Sequence, residues 1–160
     1  MPRRNSPGHR SRDTAFAAIN DGDPGPMIES LSPKFVYRFH GDHALGGTRR
    51  IVEGMSRWWE RVMRLLPGAR FDIEEIIARG WPWGTRVALR AHVAGELPGG
   101  EKYENTMFQF MSLRWGRVTS IETLEDLHVL EGALARLAAT GCDEAAAAPI
   151  RDRSMDAAAE

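Results

Sequence analysis

The chain has 160 residues, of which 42% are hydrophobic and 27% charged, a composition typical of one soluble globular domain. Its formal net charge of -1 gives no electrostatic signature of binding to nucleic acid or to an anionic membrane, so neither partner is expected. The single cysteine, Cys142, excludes an intrachain disulfide framework, and no apolar segment of a secretory signal follows the basic N-terminus. We therefore expect a cytoplasmic, reduced protein.

The N-terminal part is predicted to begin with a disordered basic segment, residues 1–12, which mixes Pro, Gly, Ser and Arg. One domain is predicted over 13–141. It opens with two short helices, the first capped by Asp13 or Thr14 and the second running from 27 to 31. Aromatic and β-branched residues at 35–39 then predict a strand.

A Gly-rich loop, 40–48, leads into a long amphipathic helix that is predicted to start at Arg49. Pro67-Gly68 ends the helix. Its apolar residues recur at helical spacing on one broad face: Ile51, Met55, Trp58, Trp59, Val62, Leu65 and Leu66.

The remaining pattern predicts strands at 71–77 (with a bulge), 85–95, 103–113 and 118–124, joined by hairpin turns. Asp126 is predicted to cap a closing helix that ends at Gly141, and 142–160 is predicted to be an Ala-rich flexible tail.

This order of elements favours an α+β fold over a doubly wound parallel sheet. A long helix lying across a strongly bent antiparallel sheet makes a cone with one open mouth. Such a cone typically holds a small-molecule pocket lined by side chains from several strands.

Two segments carry a family resemblance: Gly41-Asp42-His43-Ala44-Leu45-Gly46-Gly47 before a Trp-rich helix, and Tyr103-Glu104-Asn105 at the start of a hairpin strand. Together with the element order they resemble the nuclear-transport-factor-2-like superfamily, and within it the SnoaL-like branch, which includes polyketide cyclases. The likeness runs from about Thr14 to Gly141 and implies a cystatin-like α+β roll. This superfamily hosts isomerases, dehydratases, cyclases, epoxide hydrolases and proteins without catalysis, so the resemblance implies a fold more than an activity.

The chain is also more distantly similar to limonene epoxide hydrolases, whose pocket carries an Arg-x-Asp pair and a second Asp on the last strand. The resemblance puts Arg90 at the arginine, His92 at the first aspartate and Thr123 at the second. Tyr37 falls at a pocket tyrosine, while Phe39 replaces an asparagine. Since both carboxylates are replaced, the epoxide-hydrolase mechanism does not transfer intact.

Arg90, His92 and Glu125 are the catalytic candidates. If the strand that carries Arg90 and His92 turns them into the cone, Arg90 can steady an oxyanion and His92 can move a proton at neutral pH. The alternation of Val87, Leu89 and the residues after them favours the opposite orientation, with Arg90 and His92 on a solvated or dimer-facing side, and both interpretations stay open. Placement outside the cone would favour a non-catalytic binding module over an enzyme.

Glu125 shares a strand face with Ile121 and Thr123. In an apolar cone its pKa would be raised and it could act as acid or base; a solvent-facing carboxylate is the alternative. Asn105 and Gln109 are predicted to orient a carbonyl or a hydroxyl. The predicted substrate-binding set is Tyr37, Phe39, His43, Trp58, Asn105, Met107, Gln109, Ile121 and Thr123.

His40, Asp42 and His43 form too short a cluster to predict a metal site, so no metal and no cofactor are expected. For His43 a loop-fixing hydrogen bond is the alternative to a pocket role. Trp81 and Trp83 flank Pro82 in a turn, which favours a subunit interface and hence a homodimer.

The leading functional prediction is a cofactor-free acid/base enzyme. It would be an isomerase, cyclase or hydrolase that acts on a small hydrophobic molecule of polyketide, terpenoid or steroid size. The alternative is a non-catalytic ligand-binding or dimerising module of the same fold.

Overall fold

The computed structural model describes residues 15–152, so the predicted disordered segment 1–12 and the end of the predicted tail lie outside the described residues. Residues 15–20 are helical (α1). The remaining helices are α2 (Gly25–Glu29), α3 (Val52–Leu65), α4 (Leu127–Ala139) and a 3-10 turn at Asp143–Ala146. The strands are β1 (Leu31–Phe39), β2 (Gly47–Arg49), β3 (Arg70–Trp81), β4 (Gly84–Glu96), β5 (Lys102–Arg114) and β6 (Arg117–Glu125).

All six strands form one curved, open sheet in the order β2-β1-β6-β5-β4-β3, which confirms the predicted α+β fold. The sheet differs from the prediction in being mixed: β1 runs parallel to β6, with Tyr37 opposite Ile121. This follows because the last strand of the meander returns beside the first strand of the chain. The predicted Gly-rich loop ends in a short strand, β2, whose Arg49 lies opposite Tyr37. The long helix therefore begins at Val52 and not at the predicted Arg49.

The sheet has an inner face, covered by α1 to α3, and an outer face. Along β4 the buried residues Val87, Leu89, Ala91 and Val93 alternate with more exposed ones, and β5 and β6 alternate in the same way. Register shifts in β3, between Ile73 and Glu75, and in β6 are irregularities of the kind that bend a sheet. The inner face is therefore the concave, apolar side.

The long helix α3 lies on the inner face because its apolar residues share one side, as predicted. Trp58 packs on Tyr37, with ring centroids 5.0 Å apart, and its indole N–H donates to the Leu45 carbonyl at 2.8 Å. Asp126 caps α4 through its side chain, which accepts from the backbone N–H groups of His128 and Val129 and confirms the predicted cap. No helix within residues 15–152 is long and apolar enough to cross a bilayer.

Residues 142–152, here called the C-terminal strap, differ from the predicted flexible tail. Ile150 and Asp152 are buried, and the Asp152 carboxylate accepts from the Arg50 backbone N–H at 2.6 Å. Glu144 binds the guanidinium groups of Arg61 and Arg64 on α3. The strap is ordered by these long-range polar contacts, which an alanine-rich composition does not reveal.

Candidate functional site

An apolar cavity lies between the inner face and the helices. Its aromatic wall consists of Phe16, Tyr37, Phe39, Trp58, Trp59 and Phe71, and three methionines complete much of the lining. The unfilled space measures about 30 Å³, which is room for a water molecule or two. A larger guest must therefore displace side chains, and unbranched methionines such as Met27, Met55 and Met107 are the ones that rearrange most easily.

Glu125, at the end of β6, places a carboxyl group in this cavity. The residue is 5% exposed, and burial raises the pKa of its carboxyl to about 7, although hydrogen bonds from Tyr103 and Asn105 oppose the rise. The Tyr103 hydroxyl donates to Glu125 Oε2 at 2.7 Å and Asn105 Nδ2 approaches the same oxygen at 3.1 Å. At neutral pH this carboxyl is thus divided between its acid and base forms.

Tyr103 and Asn105 hold one oxygen of Glu125 and leave the other available. Asn105 Nδ2 also contacts Tyr103 Oη at 2.8 Å and the Asp126 carbonyl at 3.1 Å, so its two N–H groups are shared among three acceptors. Burial and the neighbouring Glu125 raise the pKa of Tyr103, which therefore stays a hydrogen-bond donor. Within residues 15–152 no group donates a hydrogen bond to Glu125 Oε1.

Gln109 and Thr123 form a second polar pair beside the cavity. They lie opposite each other on β5 and β6, two residues along the strands from Met107 and Glu125. Gln109 Nε2 donates to Thr123 Oγ1 at 2.9 Å, while Gln109 Oε1 is buried and has no partner among the described residues. Burial raises the pKa of Tyr37 to about 12, partly offset by Arg49 and by a hydrogen bond with Thr123. Trp59 Nε1, also buried, likewise has no partner in the described chain. An unpaired acceptor and an unpaired donor thus border one cavity, where ligand groups can satisfy them.

Arg49 is a fully buried cation behind the cavity wall. Its guanidinium carbon lies 5.2 Å from the Tyr37 ring centre and 5.1 Å from that of Trp58. Two of its nitrogens donate to backbone carbonyls, including Gly46 at 3.0 Å and Ile150 at 3.2 Å. Burial lowers the pKa of Arg49 to about 10, so the side chain is still charged at neutral pH. It joins β2, the Gly-rich loop and the C-terminal strap.

Arg90 and His92 do not join Glu125. Both lie on the outer face of β4, where Arg90 Nε forms an ion pair with Glu74 at 3.0 Å and Nη2 lies 3.7 Å from Glu75. His92 lies between Asp72 on β3 and Thr106 on β5 in the strand register. Because side chains alternate along a strand, burial of Leu89, Ala91 and Val93 requires this orientation. The three predicted catalytic residues therefore do not form one site.

His43 holds the Gly-rich loop instead of facing the cavity. Its Nε2–H donates to the His40 carbonyl at 2.9 Å, and its Nδ1 accepts from the Leu45 N–H at 3.2 Å. Burial lowers the pKa of His43, which favours the neutral ring that these two bonds require. The nearby His40 ring binds Glu122 on the outer side at 2.6 Å. No cluster of three or more His, Cys, Asp or Glu suited to a metal occurs within residues 15–152.

Most of the predicted substrate-binding residues do come together. Thr123 and Asn105 lie directly behind the cavity as hydrogen-bond partners of its polar groups. The residues that line the cavity are Tyr37, Phe39, Trp58, Met107, Gln109 and Ile121.

Sequence reasoning missed Tyr103, Trp59 and the contribution of α1. Strand periodicity predicts the same face for Tyr103 as for Asn105, Met107 and Gln109, because it precedes them at the same two-residue spacing. Phe16 and Ile19 carry no pattern that distinguishes cavity-lining residues from ordinary core residues.

A larger depression of about 320 Å³ lies on the outer face, between Arg38, Arg79, Arg86 and Phe110. Its volume exceeds that of the inner cavity, but it is wide open to solvent, and no buried unpaired polar atom borders it. The shifted carboxyl and both unpaired polar groups belong to the inner cavity, which we therefore take as the candidate site.

Comparison with known proteins gives the same fold. The sequence profile of the SnoaL-like domain matches residues 13–121, a range that ends before Glu125. TerC co-crystallised with polyporic acid is 21% identical, with a TM-score of 0.70 over 80% of this chain and 98% of that one. IdmH from Streptomyces antibioticus, a candidate polyketide cyclase, is 21% identical, with a TM-score of 0.65 over 81% and 99%.

PrhC from Penicillium brasilianum is 14% identical, with a TM-score of 0.73 over 86% of this chain and 92% of that one. At these identities the three structures establish the fold alone. No curated protein matches the chain in sequence.

Proposed function

We propose that this chain, which belongs to the SnoaL-like domain family, holds an apolar small molecule in its inner cavity and moves a proton with Glu125. The observation that supports this proposal is a buried carboxyl whose pKa is raised to about 7, chiefly by burial, in a cavity with aromatic walls. A carboxyl that titrates near neutral pH is effective both in taking and in giving a proton. No cofactor is part of the proposal.

The surrounding residues suit this role. Tyr103 and Asn105 orient Glu125 through Oε2, which leaves Oε1 to face a substrate. Gln109 Oε1 and Trp59 Nε1, which lack partners among residues 15–152, would then position a hydroxyl and a carbonyl of the guest. Of the predicted catalytic set only Glu125 is retained, because Arg90 and His92 lie across the sheet.

A single carboxyl favours some reactions over others. Isomerisation and cyclisation through an enolate need one group that removes a proton and returns it, whereas epoxide hydrolysis as predicted by resemblance needs two carboxylates. Glu125 is the one carboxylate among the described residues that line the cavity. A cyclase or isomerase is therefore our preferred reaction class, with a polyketide-sized substrate supported by the SnoaL-like family and by the candidate cyclase IdmH.

The proposal is tested with 5-nitrobenzisoxazole, a small aromatic carbon acid. A base removes the proton from its ring carbon, the ring N–O bond breaks, and a coloured cyanophenolate forms. We expect saturable turnover that rises with pH through about 7, as Glu125 loses its proton. Glu125→Gln should slow turnover by roughly 100-fold or more, since a positioned base contributes at least that factor.

The matched control is Glu122→Gln, which removes the neighbouring carboxylate on the outer face. It should leave turnover unchanged. If Glu125→Gln turns over the probe as fast as the parent chain, Glu125 is excluded as the base. If neither protein turns over the probe, quenching of tryptophan emission by the same probe decides whether the cavity binds it without catalysis.

The non-catalytic alternative is favoured by one observation, the placement of Arg90 and His92 outside the cavity. It predicts binding of the probe with equal affinity by the parent chain and by Glu125→Gln, and no turnover by either.

We also infer that the outer face pairs with a second copy of this chain. Four large apolar side chains, Ile77, Phe108, Phe110 and Leu124, are between 43% and 63% exposed and adjoin one another across β3 to β6. Ion pairs within the chain, Arg90 with Glu74 and His40 with Glu122, lie on the same face, so the apolar patch has a polar rim. Light scattering should give the mass of a dimer.

Phe110→Glu should give a monomer that keeps its fold, because Phe110 makes its contacts at the surface. Val52→Glu is the control, since it also replaces an exposed apolar residue, at the start of α3 and away from the outer face. A monomeric parent chain would exclude this pairing.

A further inference from the structure

Two neighbouring turns at one end of the sheet carry three exposed tryptophans. We call this end the tryptophan tip and define it by residues 79–86, the β3–β4 turn with the adjoining strand ends, and 114–117, the β5–β6 turn with its adjoining strand ends. Trp81, Trp83 and Trp115 are between 57% and 68% exposed. A contiguous exposed apolar patch is typical of an interaction surface.

The three rings form one patch because the turns are joined. The Trp115 backbone N–H donates to the Pro82 carbonyl at 2.6 Å. Trp81 and Trp83 stack with centroids 5.6 Å apart and planes inclined by 4°, and Trp115 lies 6.3 Å from Trp83. The patch therefore has a fixed shape rather than being three independent side chains.

Trp115 occupies a backbone position that a tryptophan does not favour. The two-residue turn Trp115-Gly116 has φ of 51° and 77°, and positive φ at both central residues normally selects Asn-Gly. A bulky residue in this conformation costs conformational energy. Its presence is explained if the ring itself has a use at the tip.

The charge of the tip has one sign. Four arginines flank the two turns: Arg79, Arg86, Arg114 and Arg117. Neither 79–86 nor 114–117 contains an acidic residue. Arg117 donates to the Glu29 carbonyl, and no carboxylate within residues 15–152 forms an ion pair with any of the four. The net charge of -1 for the whole chain thus conceals a local cationic end.

We propose that the tryptophan tip docks on an anionic lipid surface. Indole rings prefer the interface between headgroups and acyl chains, where the ring is apolar and its N–H is solvated. Arginines beside them attract anionic headgroups. A second copy of the chain fits less well, because the acidic pair Glu74 and Glu75 on its outer face is already bound by Arg90.

The tip is also connected to the cavity. The Arg117 side chain binds the last residue of α2, and Met27 on the same helix lines the inner cavity. Docking would bring that helix close to the lipid in which an apolar ligand dissolves. The docking itself does not depend on the proposed function.

The test uses the full chain and two kinds of vesicle, phosphatidylcholine alone and phosphatidylcholine with an equal part of phosphatidylglycerol. The chain should float with the anionic vesicles and not with the neutral ones, and its tryptophan emission should shift to the blue. Arg79→Glu with Arg114→Glu should weaken binding by at least about 25-fold, from roughly fivefold for each basic residue. Trp115→Asn should weaken binding while relieving the turn, so a loss of fold is not expected.

The control is Arg70→Glu with Lys102→Glu, which makes the same change of charge at the opposite ends of β3 and β5. It should bind within about twofold of the parent chain. Equal losses in the two double variants would mean non-specific attraction and overturn the proposal, as would failure of the parent chain to float. A blue shift that follows protein concentration without vesicles would assign the tip to self-association instead.

Discussion

The two faces of the sheet carry the same charged residue types in opposite surroundings. On the inner face Arg49 is 0% exposed and Glu125 is 5% exposed, and each is held by neutral hydrogen-bonding groups. On the outer face Arg90 pairs with Glu74 and Glu75, and all three side chains are about half exposed. Burial, rather than residue type, therefore decides which charges are available for chemistry.

Glu122 and Glu125 make the contrast within one strand. They are three residues apart on β6, and alternation sends one to each face. The exposed Glu122 carboxylate binds the His40 ring at the surface, whereas burial raises the pKa of Glu125 to about 7. A shift of one residue in register would exchange them, so the apolar pattern of β6 determines which carboxyl is functional.

The largest expected effect is on stability, at Arg49. Arg49→Ala should lower the free energy of unfolding by about 4 kcal/mol, because it removes charged hydrogen bonds and leaves buried carbonyls unpaired. Arg90→Ala should change it by less than about 0.5 kcal/mol, since its ion pairs are half exposed. Urea titrations of both variants measure the difference, and similar losses would contradict the contrast between the faces.

The next effect is a pH dependence. Because the pKa of Glu125 is raised from 4.5 to about 7 on folding, mainly by burial, the folded state binds more protons than the unfolded state between these values. The contribution is favourable below pH 4.5 and is lost as pH rises through 7, by roughly 3 kcal/mol in total. The free energy of unfolding of the parent chain, compared with that of Glu125→Gln at pH 5 and pH 8, measures the contribution of Glu125 ionisation.

Glu122→Gln provides the comparison, and its pH dependence should remain parallel to that of the parent chain. A parent chain and a Glu125→Gln variant that lose stability in parallel would mean that Glu125 titrates normally.

The fold was predictable because it rests on periodic patterns. Alternation in 85–95 and the helical spacing of Met55, Trp58 and Val62 identify the inner-facing residues without any structure. Parallel pairing of β1 with β6 was not predictable, since nothing local to either strand encodes its neighbour.

The site was predictable only in part. Asn105, Gln109 and Glu125 follow from strand periodicity, but the Tyr103–Glu125 bond joins residues 22 apart through the curvature of the sheet. For Arg90 and His92 the periodicity indicated the outer face, and the resemblance to epoxide hydrolases indicated the pocket. Here the periodicity agreed with the structure. Burial of Leu89 and Ala91 stabilises the fold and fixes the orientation of β4, whereas a resemblance between positions contributes no free energy.

A smaller effect is expected at Tyr103. Tyr103→Phe removes a hydroxyl that donates to Glu125 Oε2, so the pKa of Glu125 should rise further and the pH midpoint of 5-nitrobenzisoxazole turnover should move upward. The stability cost should be about 1 kcal/mol. Tyr37→Phe removes a buried hydroxyl that does not bond Glu125, and it should leave the midpoint in place. Equal midpoints in the two variants would exclude Tyr103 as a positioning residue.

The smallest expected effect is at His92. His92→Ala should change the free energy of unfolding by less than about 0.5 kcal/mol and leave turnover of 5-nitrobenzisoxazole unchanged, because the ring lies on the outer face beside Asp72 and Thr106. No hydrogen bond among the described residues links it to Glu125. If His92→Ala slowed turnover as much as Glu125→Gln, the chemistry would have to lie on the outer face, and burial would no longer explain which charges are active.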